Sequence, residues 1–312
     1  MDLRLENQTL SVSYTEFVLQ GFPGVSSYRE LLSIPFFSVY IVILAGNLII
    51  IYRILVERSL QSPMYHLIAL LFAVNICCTT AIVPNTLLAL LCGLDHISLG
   101  GCLFQMFFMY AMVMFESNVL LLMALDRYVA ICRPLHYHDV MTSRLLLQLS
   151  IVSLVECSLL VSPIIIVASQ VEFCFSNLIL DFACENMALL NLGCGNMHNK
   201  EIVGLMVRIL VTAMDISLLL VSYSRILYTA MNIATGKARH KTLHTCGTHL
   251  SVIVLNYSCG LLSSIAYRMA ISIDVQNLTS AIYFLFPATI HPLIYGYRVK
   301  EIQVCLIKSW QR

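Results

Sequence analysis

Seven separate apolar runs, centred near residues 43, 76, 114, 157, 215, 254 and 287, leave this chain few ways to fold. Each is about 20 residues long, enough to cross a bilayer as a helix. Hydrocarbon offers no hydrogen-bond partner, so only a segment that satisfies its own backbone can cross it alone. Charged residues make up only 11% of the 312 while apolar residues make up 59%. Soluble domains carry about 25% charged residues. The sequence therefore predicts an all-α membrane protein, a seven-transmembrane helix bundle with no separate soluble domain. The second and seventh runs hold enough polar residues to be marginal on hydropathy alone. Residues 1–28 read as a polar N-terminal tail, 29–298 as the bundle, and 299–312 as a short amphipathic helix and C-terminus. The tail has no basic stretch followed by an apolar one, so no cleavable signal peptide is expected and the first helix must direct insertion.

The distribution of charge sets an orientation. Arg53, Arg58, Arg127, Arg133, Arg144, Arg225, Lys237, Arg239, Lys241, Arg298, Lys300, Lys308 and Arg312 fall on one side. Arg4, Arg29, Lys200 and Arg268 fall on the other, and Arg208 lies within a span. Basic loops stay in the cytoplasm, which puts the N-terminus outside and the C-terminus inside. Seven crossings require opposed ends, so the count agrees.

At the inner end of the third run stands M-A-L-D-R-Y-V-A-I-C-R-P-L-H-Y, Met123 to Tyr137. Charge is costly at mid-bilayer, so Asp126, Arg127 and Tyr128 belong at a helix end facing water or a partner. Other phrases accompany it: Gly46-Asn47, S-L-Q-S-P-M-Y (Ser59 to Tyr65), Ser222-Tyr223, K-T-L-H-T-C-G-T-H-L (Lys241 to Leu250) and H-P-L-I-Y (His291 to Tyr295). Over nearly its whole length the chain thereby resembles an olfactory receptor of the rhodopsin-like G-protein-coupled class. Phe22-Pro23-Gly24 and V-E-R-S-L (Val56 to Leu60) resemble the class I, or fish-like, branch.

Four cysteines lie on the outer side, Cys102 at the start of the third helix and Cys174, Cys184 and Cys194 in the second outer loop. That side is oxidising, but four cysteines allow three pairings and the residues alone do not choose. The resemblance implies Cys102–Cys184 and Cys174–Cys194. The other cysteines mostly read as small buried hydrophobes. Cys305, on the amphipathic helix, is placed where acylation is permitted. Asn7-Gln8-Thr9 is an outer glycosylation sequon, whereas those at Asn256 and Asn277 are discounted as buried or too near the membrane.

Two positions depart from the family pattern, Asn75 where Asp is usual and His291 where Asn is usual. With Glu116 they make up a central polar site, and Glu116 would be the only carboxylate for a sodium ion there. Either Glu116 and His291 pair and make activation sensitive to pH, since imidazole titrates near neutrality, or the site is a silent hydrogen-bonded core. Arg268 ends the sixth helix on the outer side, about three turns beyond Tyr257, with Ser264 one turn inward. In class I receptors an arginine here is associated with the carboxylate of acidic odorants. A guanidinium fork does match a carboxylate; otherwise Arg268 snorkels to water. Arg208, always cationic, lies about 22 Å along the fifth helix from Tyr223. It either pairs with Asp181 or Glu185 of the loop or reads an anionic ligand. Asp215 is too deep to reach it directly, and Glu156 reads as an interior hydrogen-bonded acid. Tyr110, Met106, Met109 and Met114 offer an adaptable pocket lining, or ordinary packing.

The resemblance implies a mechanism. A small organic odorant, a carboxylic acid among the candidates, enters among helices three, five and six and shifts a pre-existing equilibrium. Opening of the sixth helix frees Arg127 from Asp126 toward Tyr223 and Tyr295. The crevice, rimmed by Lys237, Arg239, Lys241 and Arg298, accepts the C-terminal helix of a stimulatory olfactory-type G protein, raising cyclic AMP at the plasma membrane of sensory cilia. No nucleophile–base set, metal spacing or phosphate loop points to an enzyme, a cofactor or nucleic acid. The rival readings are a non-olfactory receptor of the same superfamily and a transporter or channel. The latter calls for repeats and broken helices that the sequence does not show.

Overall fold

The computed structural model describes residues 13–233, 236–269 and 271–310. Seven of its helices are long and apolar enough to cross a membrane. They are α1 (Arg29–Val56), α2 (Pro63–Cys92), α3 (Leu99–Cys132), α4 (Ser143–Ser169), α5 (His198–Ile233), α6 (Gly236–Ala266) and α7 (Ile273–Arg298). A short α8 (Lys300–Trp310) follows. The expectation for the second run needs correction. Its mean hydropathy is 2.2, well above the 1.3 of the seventh, because its polar residues are uncharged and few beside its Leu, Ile, Val, Ala and Cys.

Local chemistry marks the helix ends. Ser98, Thr142 and Ser272 cap α3, α4 and α7, their hydroxyls accepting from the amides of Gly101, Leu145 and Val275, as exposed first-turn amides require. Gly93 closes α2 at φ +61°, a conformation disfavoured for residues with a Cβ. Pro35, Pro84, Pro163, Pro287 and Pro292 lie inside helices, as neighbouring helices in a membrane allow.

The buried core runs along α2, α3, α6 and α7, while α4 and α5 expose most of their apolar side chains. At the N-terminal face three short strands form a sheet in the order β2-β1-β3: β1 (Glu16–Leu19), β2 (His96–Ser98) and β3 (Leu178–Ile179). β1 pairs antiparallel with β2, Phe17 opposite Ile97, and parallel with β3, Val18 opposite Leu178. Phe17 is fully buried, edge-on to Phe173 at 5.1 Å. So the tail is not polar throughout: Phe17, Leu19 and Phe22 are buried. Asn7 lies outside the described residues. At the opposite face, Ile302 and Cys305 are buried against the bundle, which turns the Cys305 thiol inward.

Candidate functional site

Beneath the sheet, residues 180–184 cross the top of the bundle as a strap. Cys184 is disulfide-bonded to Cys102 on α3, and Cys174 to Cys194 within the loop, with Cα separations of 5.3 and 5.8 Å. The strap's backbone is pinned on three helices. On α7, Asn277 accepts from the Phe182 amide at 3.1 Å and donates to the Leu180 carbonyl at 2.9 Å. From α2, Thr86 donates to the Phe182 carbonyl at 3.2 Å, and on α3 Gln105 accepts from the Cys184 amide at 3.0 Å. The Phe182 ring lies with Phe22 and Phe36, centroids 6.2 and 5.7 Å away. Asn277, like Asn256, is buried, in keeping with setting both sequons aside.

Below the strap, Met106 and Met109 are fully buried, and Tyr110 donates to Glu185 Oε1 at 2.7 Å. The other Glu185 oxygen accepts from the amides of Met187 and Ala188, capping a five-residue helix. Two further acids are held by phenols: Asp181 by Tyr267, and Asp215 by Tyr257 at 3.0 Å. The loop pairing expected for Arg208 is therefore absent. Both carboxylates it would take are occupied by donors from α3 and from the end of α6. Arg208 Nη2 instead donates to the Gly260 carbonyl at 2.6 Å, and its guanidinium lies 5.6 Å from the centre of the Tyr283 ring. Among the described residues no carboxylate lies within 4.0 Å of it. Gly260 makes this approach possible. A Cβ there would sit 3.0 Å from the Tyr283 ring and 3.4 Å from Arg208 Nη2. Ser264 also donates to the Gly260 carbonyl, at 2.9 Å.

Arg268 lies two residues beyond the end of α6, exposed, with Nη1 donating back to the Ser264 carbonyl at 3.0 Å. It does not join the half-buried group around Arg208. Glu156 is exposed on α4 rather than interior, because the next residue, Cys157, takes the inward position and accepts from Asn118.

Halfway along the bundle, Asn75 donates to Asn47 Oδ1 at 3.1 Å and lies 3.4 Å from His291 Nδ1. Asn47 in turn donates to the carbonyls of Ile43 and Ala288, tying α1 to α7. His291 Nδ1 is 3.7 Å from Glu116 Oε1, within ion-pair reach but long for a hydrogen bond. Glu116 Oε1 and His291 Nε2 are buried without a hydrogen-bond partner. A cavity of about 10 Å³ beside them, lined by Asn75, Glu116, Tyr283 and Ala288, is near the lower limit for one water molecule.

At the D-R-Y face Asp126 is fully buried. It accepts from Arg127 Nε at 2.9 Å and from Tyr137 at 2.8 Å. Tyr128 is half-buried against the core. Tyr223 is buried with its hydroxyl unpartnered, and the Tyr295 hydroxyl lies 3.1 Å from His249 Nδ1. Arg239 reaches the Met231 sulfur, and Arg298 contacts Ser251 at 3.5 Å. Lys237 and Lys241 lie in α6 with side chains outside the described residues. The sequence marks Asn47 and Tyr137 only as parts of family phrases, and gives His249 and Gly260 no role of their own. The signal available for His249 was its spacing, seven residues before buried Asn256 on one face of α6.

A seven-helix membrane bundle, its third helix ending in a buried Asp–Arg pair and its loop disulfide-bonded to that helix, defines a rhodopsin-like receptor. A family model described as "Olfactory receptor" matches residues 36–312. Human olfactory receptor 52N2 is 35% identical over 295 residues, 94% of this chain and 92% of that protein. Human olfactory receptors 52N5 and 52Z1P are 35% and 37% identical over 310 and 286 residues; these cover 97% and 91% of this chain and 95% of each relative. The chain belongs to the olfactory receptor family, in its class I branch, and is a G-protein-coupled receptor rather than an enzyme.

Proposed function

We propose that this receptor binds a small organic odorant among α3, α5 and α6 beneath the strap, and that a carboxylate on the ligand is read by Arg208. The sheet face is extracellular and the D-R-Y face cytoplasmic, where a stimulatory olfactory-type G protein couples and raises cyclic AMP. The single observation carrying the ligand reading is the position of Arg208. It is a cation between α5, α6 and α7 with a carbonyl and a ring for company and, among the described residues, no carboxylate within ion-pair distance. A charge so placed within a membrane protein favours an anionic partner. Met106 and Met109 supply compliant contact for the ligand's carbon chain. The orientation rests on the excess of Lys and Arg in the segments at the D-R-Y face. Binding would stabilise a packing in which α6 moves out and Asp126 releases Arg127 toward Tyr223 and Tyr295, opening the crevice rimmed by Lys237, Arg239 and Lys241.

The test is cyclic AMP in cells co-expressing that G protein, challenged with carboxylic acids and their neutral analogues, with surface staining throughout. Arg208→Ala should lose the response to acids, whereas Arg268→Ala should keep most of it. Loss in Arg268→Ala alone would move the anion site to the end of α6. A response to neutral odorants only would remove the carboxylate reading and leave the receptor.

A further inference from the structure

We propose that Asp181 is an extracellular proton-binding site: its carboxyl is buried where the strap meets Tyr267 at the end of α6, and external protons, by neutralising the buried charge, hold the strap docked there. The strap's anchors on α2, α3 and α7 are neutral hydrogen bonds and a disulfide, none of which titrates near neutrality. Its anchor on α6 is ionisable. Asp181 is 1% exposed, and one oxygen accepts from Tyr267 while the other faces the Ala183 amide at 3.4 Å.

Among the described residues no cation offsets this burial. Tyr267 faces Asp181 from the end of α6, and from the loop itself the charged neighbour is Glu185, of like sign. From α7, Asn277 holds the adjacent backbone and Ser280 bonds to Tyr267. Thr86 of α2 and Gln105 of α3 are neutral and bind the strap's backbone. Asp274 is engaged by the Gly24 amide, and Arg268 turns back onto its own helix. Burial, more than any other cause, pushes the Asp181 carboxyl up to about 7.

The direction of coupling follows. With the strap docked, Asp181 holds its proton to about pH 7; with the strap lifted into water it returns toward an ordinary value of about 3.9. The docked form therefore binds more protons throughout the window between those values. Falling pH stabilises docking, and its advantage is lost as pH rises through 7. Between pH 6 and pH 8 the ratio of lifted to docked strap should rise about tenfold. Because α6 also carries Gly260 and Tyr257, which hold Arg208 and Asp215, lifting the strap loosens one wall of the proposed ligand site. That last step rests on the function proposed above, and the access of external protons on the orientation proposed there; the titration of Asp181 rests on neither.

The experiment is hydrogen–deuterium exchange on the full-length receptor in lipid nanodiscs without ligand, following peptides spanning 178–185 from pH 6 to pH 8.5. Rates are corrected for the intrinsic pH dependence of exchange. The wild type should lose about tenfold in protection between pH 6 and pH 8. Asp181→Asn, isosteric and uncharged, should show no such slope. Tyr267→Phe removes a donor that favours the ionised carboxylate, and should move the midpoint upward while keeping the slope. Equal pH dependence in the wild type and Asp181→Asn, a flat wild type, or an unmoved midpoint in Tyr267→Phe would each overturn the proposal. No odorant or G protein takes part, so failure here is distinct from failure of the ligand reading.

Discussion

Replacing Gly260 by Ala isolates the space on which the Arg208 site depends. Two effects oppose each other. Inside a helix Ala is favoured over Gly by about 1 kcal/mol, and α6 is helical on both sides of this residue. Against that, the new methyl would sit 3.0 Å from Tyr283 Cε2 and 3.4 Å from Arg208 Nη2. Contacts that close force neighbours off their positions, and overpacking of this kind costs about 1–3 kcal/mol. The net expectation is a loss of about 0–2 kcal/mol together with a displaced guanidinium. Gly100→Ala is the control. Nothing lies within 4 Å of a Cβ at that position, so only the propensity term should act and stability should hold or rise. The assay is the thermal midpoint of detergent-solubilised receptor by fluorescence-detected chromatography, with acid-evoked cyclic AMP alongside. A double variant with Tyr283→Leu should recover part of the loss, since it removes the obstructing ring. If Gly260→Ala melts at least as high as Gly100→Ala and responds to acids as the wild type does, the space beside Arg208 is open and the crowding argument is wrong.

Phe17→Ala empties a fully buried site facing Phe173 and should cost about 3–5 kcal/mol. The visible result should be a fall in surface-stained receptor far larger than for substitutions at exposed Glu16. Glu185→Gln removes a charged acceptor for Tyr110 and a helix cap, about 2 kcal/mol together, read as a lower thermal midpoint. Glu185→Asp should not rescue it, because the shorter arm cannot reach the phenol and the amides at once. An unchanged midpoint in Glu185→Gln would show that the cap and the phenol bond contribute little.

What could be read in advance divides along a physical line. A spanning helix declares itself in one continuous stretch, because every backbone group must be satisfied within it. The seven crossings were thus legible even where Pro84 or Pro292 interrupts the pattern. The D-R-Y triplet was legible for the same local reason. The partner of Arg208 was not. Which carboxylate a cation takes depends on which donors that carboxylate already has, and Glu185 is satisfied by Tyr110, 75 residues earlier. Phe17 was missed because a four-residue strand in a polar segment carries almost no periodicity. Its burial comes from Ile97 and Phe173, brought beside it only by the assembled bundle. For Arg268 the sequence leaves two directions open, pocket or water, and the choice depends on where α6 ends: at Ala266, so that Arg268 follows the turn and is exposed.

The central strand of the small sheet has a consequence for how the receptor is made. β1 lies near the beginning of the chain, yet its two partners come at residues 96–98 and 178–179. A chain threaded in order therefore cannot give β1 its second partner until four helices have entered the membrane and the loop beyond them has emerged. Until then β1 keeps one strand edge unpaired, and Phe17 lacks the Phe173 ring that packs against it. Completion of the sheet reports that the first half of the receptor has been assembled in order.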